Sequence, residues 1–535
     1  MSQGRPNVVV FMTDQQRGAT VLPDHRLKAI TPRLDQLRAE GVSFRNAYTV
    51  SPHCCPSRAS FFTGLYPSEH GVWNNVKVAN ALSRGPYDDV GFWSTDLKDA
   101  GYLLGFAGKW HVSNVSIPAD HGWQECRVTA GADADPGTSE QSQRRSARQQ
   151  EIAKIANGRN DAESRTGADR QPGEIIRPGY PSYRHYGIAE DAFGDGEVVD
   201  SAIGFLDTVT DDVPWCLYVG TLGPHDPYQP PQRFLDLYDL DRIQLPPNFD
   251  DPMADKPILY RRTRDRFDQL TELEHREALR HYLAFCSYQD ELFGRLYDAV
   301  ADSGQLENTI FVYLSDHGDY TGDHGLWCKG LPAFDGAQHI PAVIGGQGLS
   351  TALGGRPGNV AGQESNQLVS LVDLGPTLLE LCGVDHESTA APSDRMSGRS
   401  WVGILRGQDE PVRDELIFQS NGNEAYGIQR TVRTDRWKLV VNFFDEDELY
   451  DLSADPDELI NLLHRPDRPR TVGIDPYARI PAELRDVVED LYARLWRFAL
   501  AHDDDLTNGY IMTALGSFGP GIALPDVVST TGGHR

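Results

Sequence analysis

Four short apolar runs, each followed directly by polar or ionisable residues, place the strongest limits on how this 535-residue chain can fold. The runs start at Asn7, Tyr102, Trp215 and Thr309 and are rich in β-branched and aromatic residues. Such runs are typical of strands that are buried on both faces of a parallel sheet. Helical patterns lie between or after them, at about 31–41, 190–206, 272–301 and 371–381. The alternation predicts an α/β fold with a large, mostly parallel central sheet flanked by helices. At the first helix, Thr31 is expected to be the capping residue.

The chain changes character after about residue 410, where short strand-like runs and turns replace the alternation, and a final helix is predicted at about 481–502. We therefore predict a catalytic α/β domain at 1–405 and a smaller C-terminal subdomain at 406–535, made of an antiparallel sheet, a helix and a tail. Residues 127–180 are polar, rich in small side chains and almost without apolar periodicity, which predicts a partly mobile surface insertion.

Charge and cysteine content exclude several classes of partner. The net charge of −28 argues against nucleic acid or an anionic membrane surface. No apolar run is long enough to span a bilayer, and the first seven residues leave no room for the hydrophobic region of a signal peptide. Seven scattered cysteines do not suggest a disulfide framework. A cytoplasmic location is expected, and the oligomeric state is left open, a homo-oligomer included.

The polar groups that follow the four apolar runs are candidate site residues. In open α/β sheets, ligands bind beyond the carboxyl ends of the strands. One cleft could therefore receive the side chains of Asp14, Lys109, His111, His225, Asp316 and His317. Each group alone could simply begin a loop, so the inference depends on the coincidence of four. Carboxylates favour Ca²⁺ or Mg²⁺, and an imidazole shifts the preference toward Mn²⁺ or Zn²⁺.

The segment from Ser51 to Gly64 is the most specific feature of the sequence. Pro56 suits the first turn of a helix that buries two phenylalanines, which puts Cys54 just ahead of the helix N-terminus. Free N–H groups and the helix dipole favour an anion there, and Arg58 adds a guanidinium suited to a tetrahedral oxyanion. A cysteine phosphatase would need a glycine-rich phosphate loop after the cysteine, and this segment has none. A buried structural cysteine pair is the plainer alternative.

The pattern Cys54-x-Pro56-Ser57-Arg58, followed by Thr63-Gly64, resembles the signature of the sulfatase family, in which a separate enzyme oxidises the first cysteine to formylglycine. Further segments resemble family motifs along nearly the whole chain: Asp14, Gly108-Lys109-Trp110-His111, Pro224-His225-Asp226-Pro227-Tyr228, Ser315-Asp316-His317-Gly318, Lys329-Gly330 and Glu448-Leu449-Tyr450-Asp451-Leu452. Gln15 stands where many members have a second aspartate, and His317 where many have asparagine. With Asn75, this pattern resembles the branch of arylsulfatases, choline sulfatases and phosphonate monoester hydrolases.

The resemblance implies a sulfatase that hydrolyses small sulfate monoesters to an alcohol or phenol and inorganic sulfate. It implies one divalent metal, Ca²⁺ before Mn²⁺ or Mg²⁺, held by Asp14, Gln15, modified Cys54, Asp316 and His317. Arg58, Lys109, Lys329 and Asn75 would bind the sulfate. His225 would protonate the leaving oxygen, and His111 would take a proton from the formylglycine hydrate. A formylglycine-generating enzyme would be the maturation partner. The alternatives are a phosphonate monoester hydrolase or phosphodiesterase on the same scaffold, and a binding protein that has lost its chemistry.

Overall fold

The computed structural model describes residues 5–126, 170–177, 180–354, 361–385, 396–423, 426–466, 476–478, 480–505 and 516–523. Within them an eight-stranded sheet is formed by β1 Asn7–Thr13, β2 Val42–Tyr48, β3 Leu103–Gly108, β4 Gln124–Glu125, β7 Trp215–Gly220, β8 Thr309–Ser315, β9 Ala342–Gly345 and β10 Gln363–Ser370. Its strand order is β10-β2-β9-β8-β1-β7-β3-β4. A separate two-stranded sheet pairs β5 Glu174–Ile175 with β6 Tyr183–Arg184. Only β9 pairs antiparallel with its neighbours in the larger sheet.

Helices cover both faces of this sheet. Those of the described residues are α1 Pro32–Glu40, α2 Cys54–Thr63, α3 Pro67–His70, α4 Trp93–Asp99, α5 Asp195–Leu206, α6 Gln232–Leu235, α7 Ile258–Arg264, α8 Glu272–Asp302, α9 Asp335–Gln338, α10 Gly348–Ala352, α11 Leu374–Leu381, α12 Val402–Leu405 and α13 Arg485–Ala501. In β1, Val9 and Phe11 join the core formed with α1, α5 and α8. Val8, Val10 and Met12 join the opposite core, formed with α2, α4 and α11. The central strand is thus buried on both faces, which explains its uninterrupted apolar sequence.

A second, antiparallel sheet follows the large one along the chain. It consists of β11 Leu416–Gly422, β12 Tyr426–Arg433, β13 Trp437–Asn442 and β14 Glu448–Asp451, in that order. Helix α13 contributes Leu491, Leu495 and Trp496 to the core beneath this sheet. The predicted fold class, a large mostly parallel sheet plus a smaller antiparallel sheet with a helix, is confirmed.

Two helix starts differ from the sequence predictions. Thr31 precedes α1 but makes no capping hydrogen bond. The carboxylate of Asp290 on α8 accepts instead from the backbone N–H groups of Arg33 and Leu34, at 3.1 and 2.7 Å. Helix α5 begins at Asp195 rather than near residue 190, because Gly194 adopts a left-handed φ of 75°. The start of α1 is therefore capped by a distant carboxylate, and the start of α5 is set by the φ angle of Gly194.

The predicted insertion at 127–180 lies mostly outside the described residues. Its described residues are 170–177 and 180, and the strand among them is packed, since Glu174 and Ile175 are both buried. No helix of the described residues is both long and apolar enough to cross a membrane. All seven cysteines have free thiols.

Candidate active site

The candidate site lies at the carboxyl ends of four neighbouring strands, β8, β1, β7 and β3, which pair in parallel. Asp14 follows β1, Lys109 follows β3 and Asp316 follows β8 directly, while His225 lies a few residues beyond β7. The parallel register brings these four ends to the same edge of the sheet. The structure thus joins the polar groups that the sequence analysis predicted to share one cleft.

At the centre of this edge is a buried group of four potential metal ligands. Ligand atoms of Asp14, Cys54, Asp316 and His317 all lie within 4.8 Å of one another. Nε2 of His317 is 3.7 Å from Oδ1 of Asp14, 3.6 Å from Oδ1 of Asp316 and 3.2 Å from Sγ of Cys54. The other ring nitrogen, Nδ1, is 2.9 Å from the carbonyl oxygen of Gly318, to which it can donate. That bond would leave Nε2 as an acceptor facing the group, as in histidines that ligate metals.

Cys54 is the first residue of α2, so it lies inside the helix and not just ahead of it as predicted; His53 precedes the helix. The thiol of Cys54 is buried. Burial alone would raise the pKa of Cys54, but Lys109, Lys329 and His317 hold it well below its usual range. Cys55 differs, because burial raises its pKa and its Sγ accepts a hydrogen bond from the N–H of Val76 at 3.4 Å. The two adjacent cysteines therefore occupy chemically distinct environments, and only Cys54 joins the ligand group.

Arg58 lies one turn along α2 and is fully buried. Its Nε donates to Oδ2 of Asp316 at 2.8 Å, and one terminal nitrogen donates to Oδ2 of Asp14 at 3.3 Å. The other terminal nitrogen donates to the hydroxyl of Tyr218 at 2.8 Å and to the carbonyl of Lys109 at 3.2 Å. Four of its five N–H donors are thus used within the protein. Both aspartates turn Oδ2 toward this guanidinium and Oδ1 toward the ligand group.

Lys109 and His111 enter the site from the segment after β3. Gly108 has a φ of 90°, and a Cβ there would lie 2.1 Å from the carbonyl oxygen of Gly220, so only glycine fits beside β7. The ammonium of Lys109 contacts the carboxylate of Asp14. His111 also has a left-handed φ, 51°, and its buried Nδ1 has no hydrogen-bond partner within the described part of the chain. Burial and the charge of Lys109 lower the pKa of His111.

Gln15 stands at the rim of the ligand group. Its backbone N–H donates to Oδ1 of Asp316 at 3.1 Å. Its side-chain Nε2 donates to Oδ2 of Asp319 at 2.6 Å and to Oδ1 of Asp226 at 3.3 Å, and its Oε1 accepts from Lys329 at 2.7 Å. Two carboxylates thus fix the amide orientation, and Oε1 keeps one lone pair. Asp319 has no assigned role in the sequence analysis, although it belongs to the polar group after β8.

His225 and Lys329 face each other across the mouth of the site. Nζ of Lys329 is 2.8 Å from Nε2 of His225. Nδ1 of His225 is 2.6 Å from the backbone carbonyl of Asp226 and can donate to it, so Nε2 is the nitrogen directed at the cleft. The loop that carries His225 is held by buried Asp195, whose carboxylate accepts from the N–H groups of Leu222 and Gly223 at 2.7 and 2.8 Å. The role of Asp195 could not be predicted from the sequence, since the residue belongs to no recognised motif.

Asn75 lies beside the start of α2. Its Oδ1 accepts from the backbone N–H of Cys55 at 3.0 Å, which satisfies one free donor of the first turn. Its own N–H donates to Oδ1 of Asn423 at 3.3 Å, a contact with the end of β11. Nδ2 of Asn75 makes no hydrogen bond to any residue that the structure describes. The smaller sheet therefore contributes directly to the wall of the site.

Comparisons with known proteins agree with this arrangement. Residues 6–384 match the family model described as Sulfatase, and residues 355–473 match the one described as N-sulphoglucosamine sulphohydrolase, C-terminal. The chain is 31% identical to a choline-sulfatase of Rhizobium meliloti over 88% of this chain and 84% of that protein. It is 27% identical to an arylsulfatase of Clostridium perfringens, over 86% and 90% of the two chains. A solved phosphonate monoester hydrolase of Agrobacterium radiobacter shares the fold, with a TM-score of 0.65, 22% identity and 92% and 96% coverage.

Proposed function

We propose that this chain, which belongs to the sulfatase family and is a sulfuric ester hydrolase, acts through a formylglycine made from Cys54 and one divalent metal ion. The observation that carries the proposal is the buried convergence of Cys54 with Asp14, Asp316 and His317. Three cationic side chains, Arg58, Lys109 and Lys329, influence the same thiol or its carboxylate neighbours. A nucleophile, a metal site and anion-binding cations therefore meet at residue 54.

The donor set fits a hard cation. Oδ1 of Asp14 and Oδ1 of Asp316 supply anionic oxygens, His317 supplies Nε2, and Gln15 supplies an amide oxygen at the rim. Carboxylate and amide oxygens favour Ca²⁺, which we propose as the metal, with Mn²⁺ or Mg²⁺ as alternatives because of the imidazole. When bound, such an ion acts as a Lewis acid that lowers the pKa of a coordinated hydroxyl group.

Formylglycine supplies what a thiol cannot: its hydrate carries two hydroxyl groups on one carbon, one to attack sulfur and one whose deprotonation expels the sulfate. His111 is suited to take the second proton, because its lowered pKa keeps it neutral near pH 7 and its buried Nδ1 has no described partner. Asp316 is placed to accept the first proton, since its Oδ1 faces Cys54 and His317.

Sulfate binding is assigned mainly to the two lysines. Lys109 contacts Asp14, and Lys329 lies between Gln15 and His225. Preorganised cations around the sulfate oxygens stabilise charge in the transition state. Arg58 was predicted as a direct ligand, but four of its donors are used by the protein, so we propose that it chiefly holds Asp14 and Asp316 in place. Asn75 would bind through Nδ2, because its Oδ1 is already used by Cys55.

His225 is proposed as the acid that protonates the leaving oxygen. Its Nδ1–H can donate to the carbonyl of Asp226, so in the imidazolium form the proton on Nε2 is the one available to the leaving oxygen. Lys329, which lies beside His225, would contact the oxygen that joins sulfur to the leaving group. The leaving alcohol would then exit along the cleft that opens next to Lys329.

The decisive experiment is mass spectrometry of the tryptic peptide 46–58 from protein produced together with a formylglycine-generating enzyme. The peptide should carry the aldehyde at position 54, and Cys55→Ala should still be converted, because position 55 is variable in the signature. An unmodified thiol in fully active protein would overturn the formylglycine proposal. Protein produced without the maturing enzyme serves as the unconverted control.

Substrate class is tested with matched aryl esters. The mature enzyme should hydrolyse an aryl sulfate with a higher kcat/KM than the corresponding aryl phosphonate or phosphodiester. The reverse order, by orders of magnitude, would favour the phosphonate monoester hydrolase alternative. A cytoplasmic location is proposed on the ground that all seven cysteines have free thiols, and cell fractionation tests it.

A further inference from the structure

A cleft of about 240 Å³ is lined on one side by Lys329 and Gly330. Arg262 and Thr263 of α7, Arg266, and Asn423 just after β11 also line it. Lys329 links the cleft to the reaction centre, because its Nζ contacts both His225 and Gln15. A group attached to the leaving oxygen would therefore extend toward Arg262 and Arg266.

Arg262 and Arg266 have no acidic partner among the residues that the structure describes. Both are exposed, and neither side chain makes an ion pair or hydrogen bond with another residue that the structure describes, although the Arg266 guanidinium lies 5.8 Å from the centroid of the Phe267 ring. Exposed arginines elsewhere commonly have a carboxylate, as Arg233 has with Glu291 at 2.7 Å and Arg295 has with Asp200. In a chain with 78 acidic and 50 basic residues, two arginines that face a cleft without a carboxylate are unexpected on charge grounds.

The chemistry of the lining distinguishes the signs of charge that the cleft would accept. Among its described residues are three cationic side chains, Arg262, Arg266 and Lys329, and no carboxylate. Guanidinium groups bind carboxylate, sulfate or phosphate through paired N–H donors. A cationic leaving group would meet like charges here.

We infer that this cleft is a second anion subsite, in which Arg262 and Arg266 bind a carboxylate or a further sulfate group on the alcohol part of the substrate. The inference rests on the proposed function, since it places the leaving group by way of His225 and Lys329. It identifies the substrate class as sulfate monoesters that carry a second anionic group. Arg262 and Arg266 are specificity residues in this view and take no part in bond cleavage.

Three phenyl sulfates with the same ring test the subsite: one with a carboxymethyl group, one with its neutral amide, and one with a trimethylammoniomethyl group. Sulfate release gives kcat/KM for each at low ionic strength. The wild type should prefer the carboxylate over the amide, and the cationic ester should be the poorest. In the double variant Arg262→Gln/Arg266→Gln, the carboxylate-to-amide ratio should fall about fivefold, in line with two partly exposed ion pairs.

Arg261→Gln is the matched control, because it removes a positive charge from the same helix at a position outside the cleft lining. Its carboxylate-to-amide ratio should stay within about twofold of the wild type. Equal ratios in the wild type and the double variant would overturn the subsite, while hydrolysis of the amide ester in both would leave the proposed function intact. If mature enzyme hydrolyses none of the three esters, both claims fail.

Discussion

Replacing Arg58 by lysine tests whether this residue acts through its geometry or only through its charge. Lysine keeps the positive charge but presents a single ammonium, whereas the guanidinium joins Asp316, Asp14, Tyr218 and the carbonyl of Lys109. The site is fully buried, so water cannot replace the lost donors. The single ammonium of Arg58→Lys could reach only one of the two carboxylates. Asp14 would keep its contact with Lys109, so Oδ2 of Asp316 is the acceptor that depends most on Arg58.

The magnitude follows from the number of lost bonds. Each buried acceptor left unsatisfied costs about 1–3 kcal/mol, and breaking one buried ion pair costs about 3–5 kcal/mol. We expect Arg58→Lys to lower the free energy of unfolding of the metal-free protein by about 4 kcal/mol. Activity should fall at least about 100-fold, because Asp14 and Asp316 would lose their orientation.

Urea denaturation followed by tryptophan fluorescence measures the stability, and sulfate release by mature protein measures the activity. Arg58→Gln is the companion variant, since it keeps planar N–H donors and loses the charge. If charge alone matters, Arg58→Lys will be close to the wild type and Arg58→Gln severely impaired. Arg58→Lys protein that loses less than about 1 kcal/mol of unfolding free energy and keeps its activity within about twofold of the wild type would refute the reasoning from geometry.

Three further predictions concern metal binding and stability. Ca²⁺ at about 100 times its Kd should raise the free energy of unfolding by about 2.7 kcal/mol over that in EDTA, and Asp316→Asn should abolish this gain in a thermal-shift titration. Arg430→Ala should cost about 3–5 kcal/mol in denaturant unfolding, because Arg430 pairs in bidentate fashion with buried Asp504 at 2.6 and 3.0 Å; Arg430→Ala/Asp504→Ala should recover much of that loss, and no recovery would contradict the pairing argument. Burial raises the pKa of Glu458 to about 7 from 4.5 despite its contact with Lys438, so its contribution to stability is complete below about pH 4.5 and is lost as the pH rises through about 7. Glu458→Gln should therefore gain stability relative to the wild type between pH 5 and 8 in denaturant titrations, and a relative loss over that range would show that the ion pair dominates.

Much of the site could be predicted from the sequence, because its residues follow local patterns. The strand ends at Asp14, Lys109 and Asp316 are adjacent because parallel pairing follows from continuous apolar runs. The helix at Cys54 follows from Pro56 and the apolar residues after it. These are short-range features that one stretch of chain reveals on its own.

The remaining features depend on contacts between distant segments. Asp290 caps α1 although 257 residues separate it from Arg33, and no local pattern indicates such a partner. The two carboxylates that orient the amide of Gln15, Asp319 and Asp226, belong to different strand ends. The cleft with Arg262 depends on how α7 packs beside Lys329. Strands β2, β9 and β10 were not predicted from the sequence. Polar residues interrupt β2 and β10, and β9 has only four residues.

The positions of the charged side chains around the site explain how a chain of net charge −28 can bind an anion. Asp14 and Asp316 are completely buried and direct Oδ2 to Arg58, so their negative charge is compensated inside the protein. Lys329 is partly exposed and lines the cleft together with Arg262 and Arg266, whose side chains have no acidic partner among the described residues. Charges more than about 10 Å away are largely screened at 0.1 M salt. The approaching ester therefore meets these nearby cations rather than the net charge of the molecule, and distant surface acids can accumulate without weakening its binding.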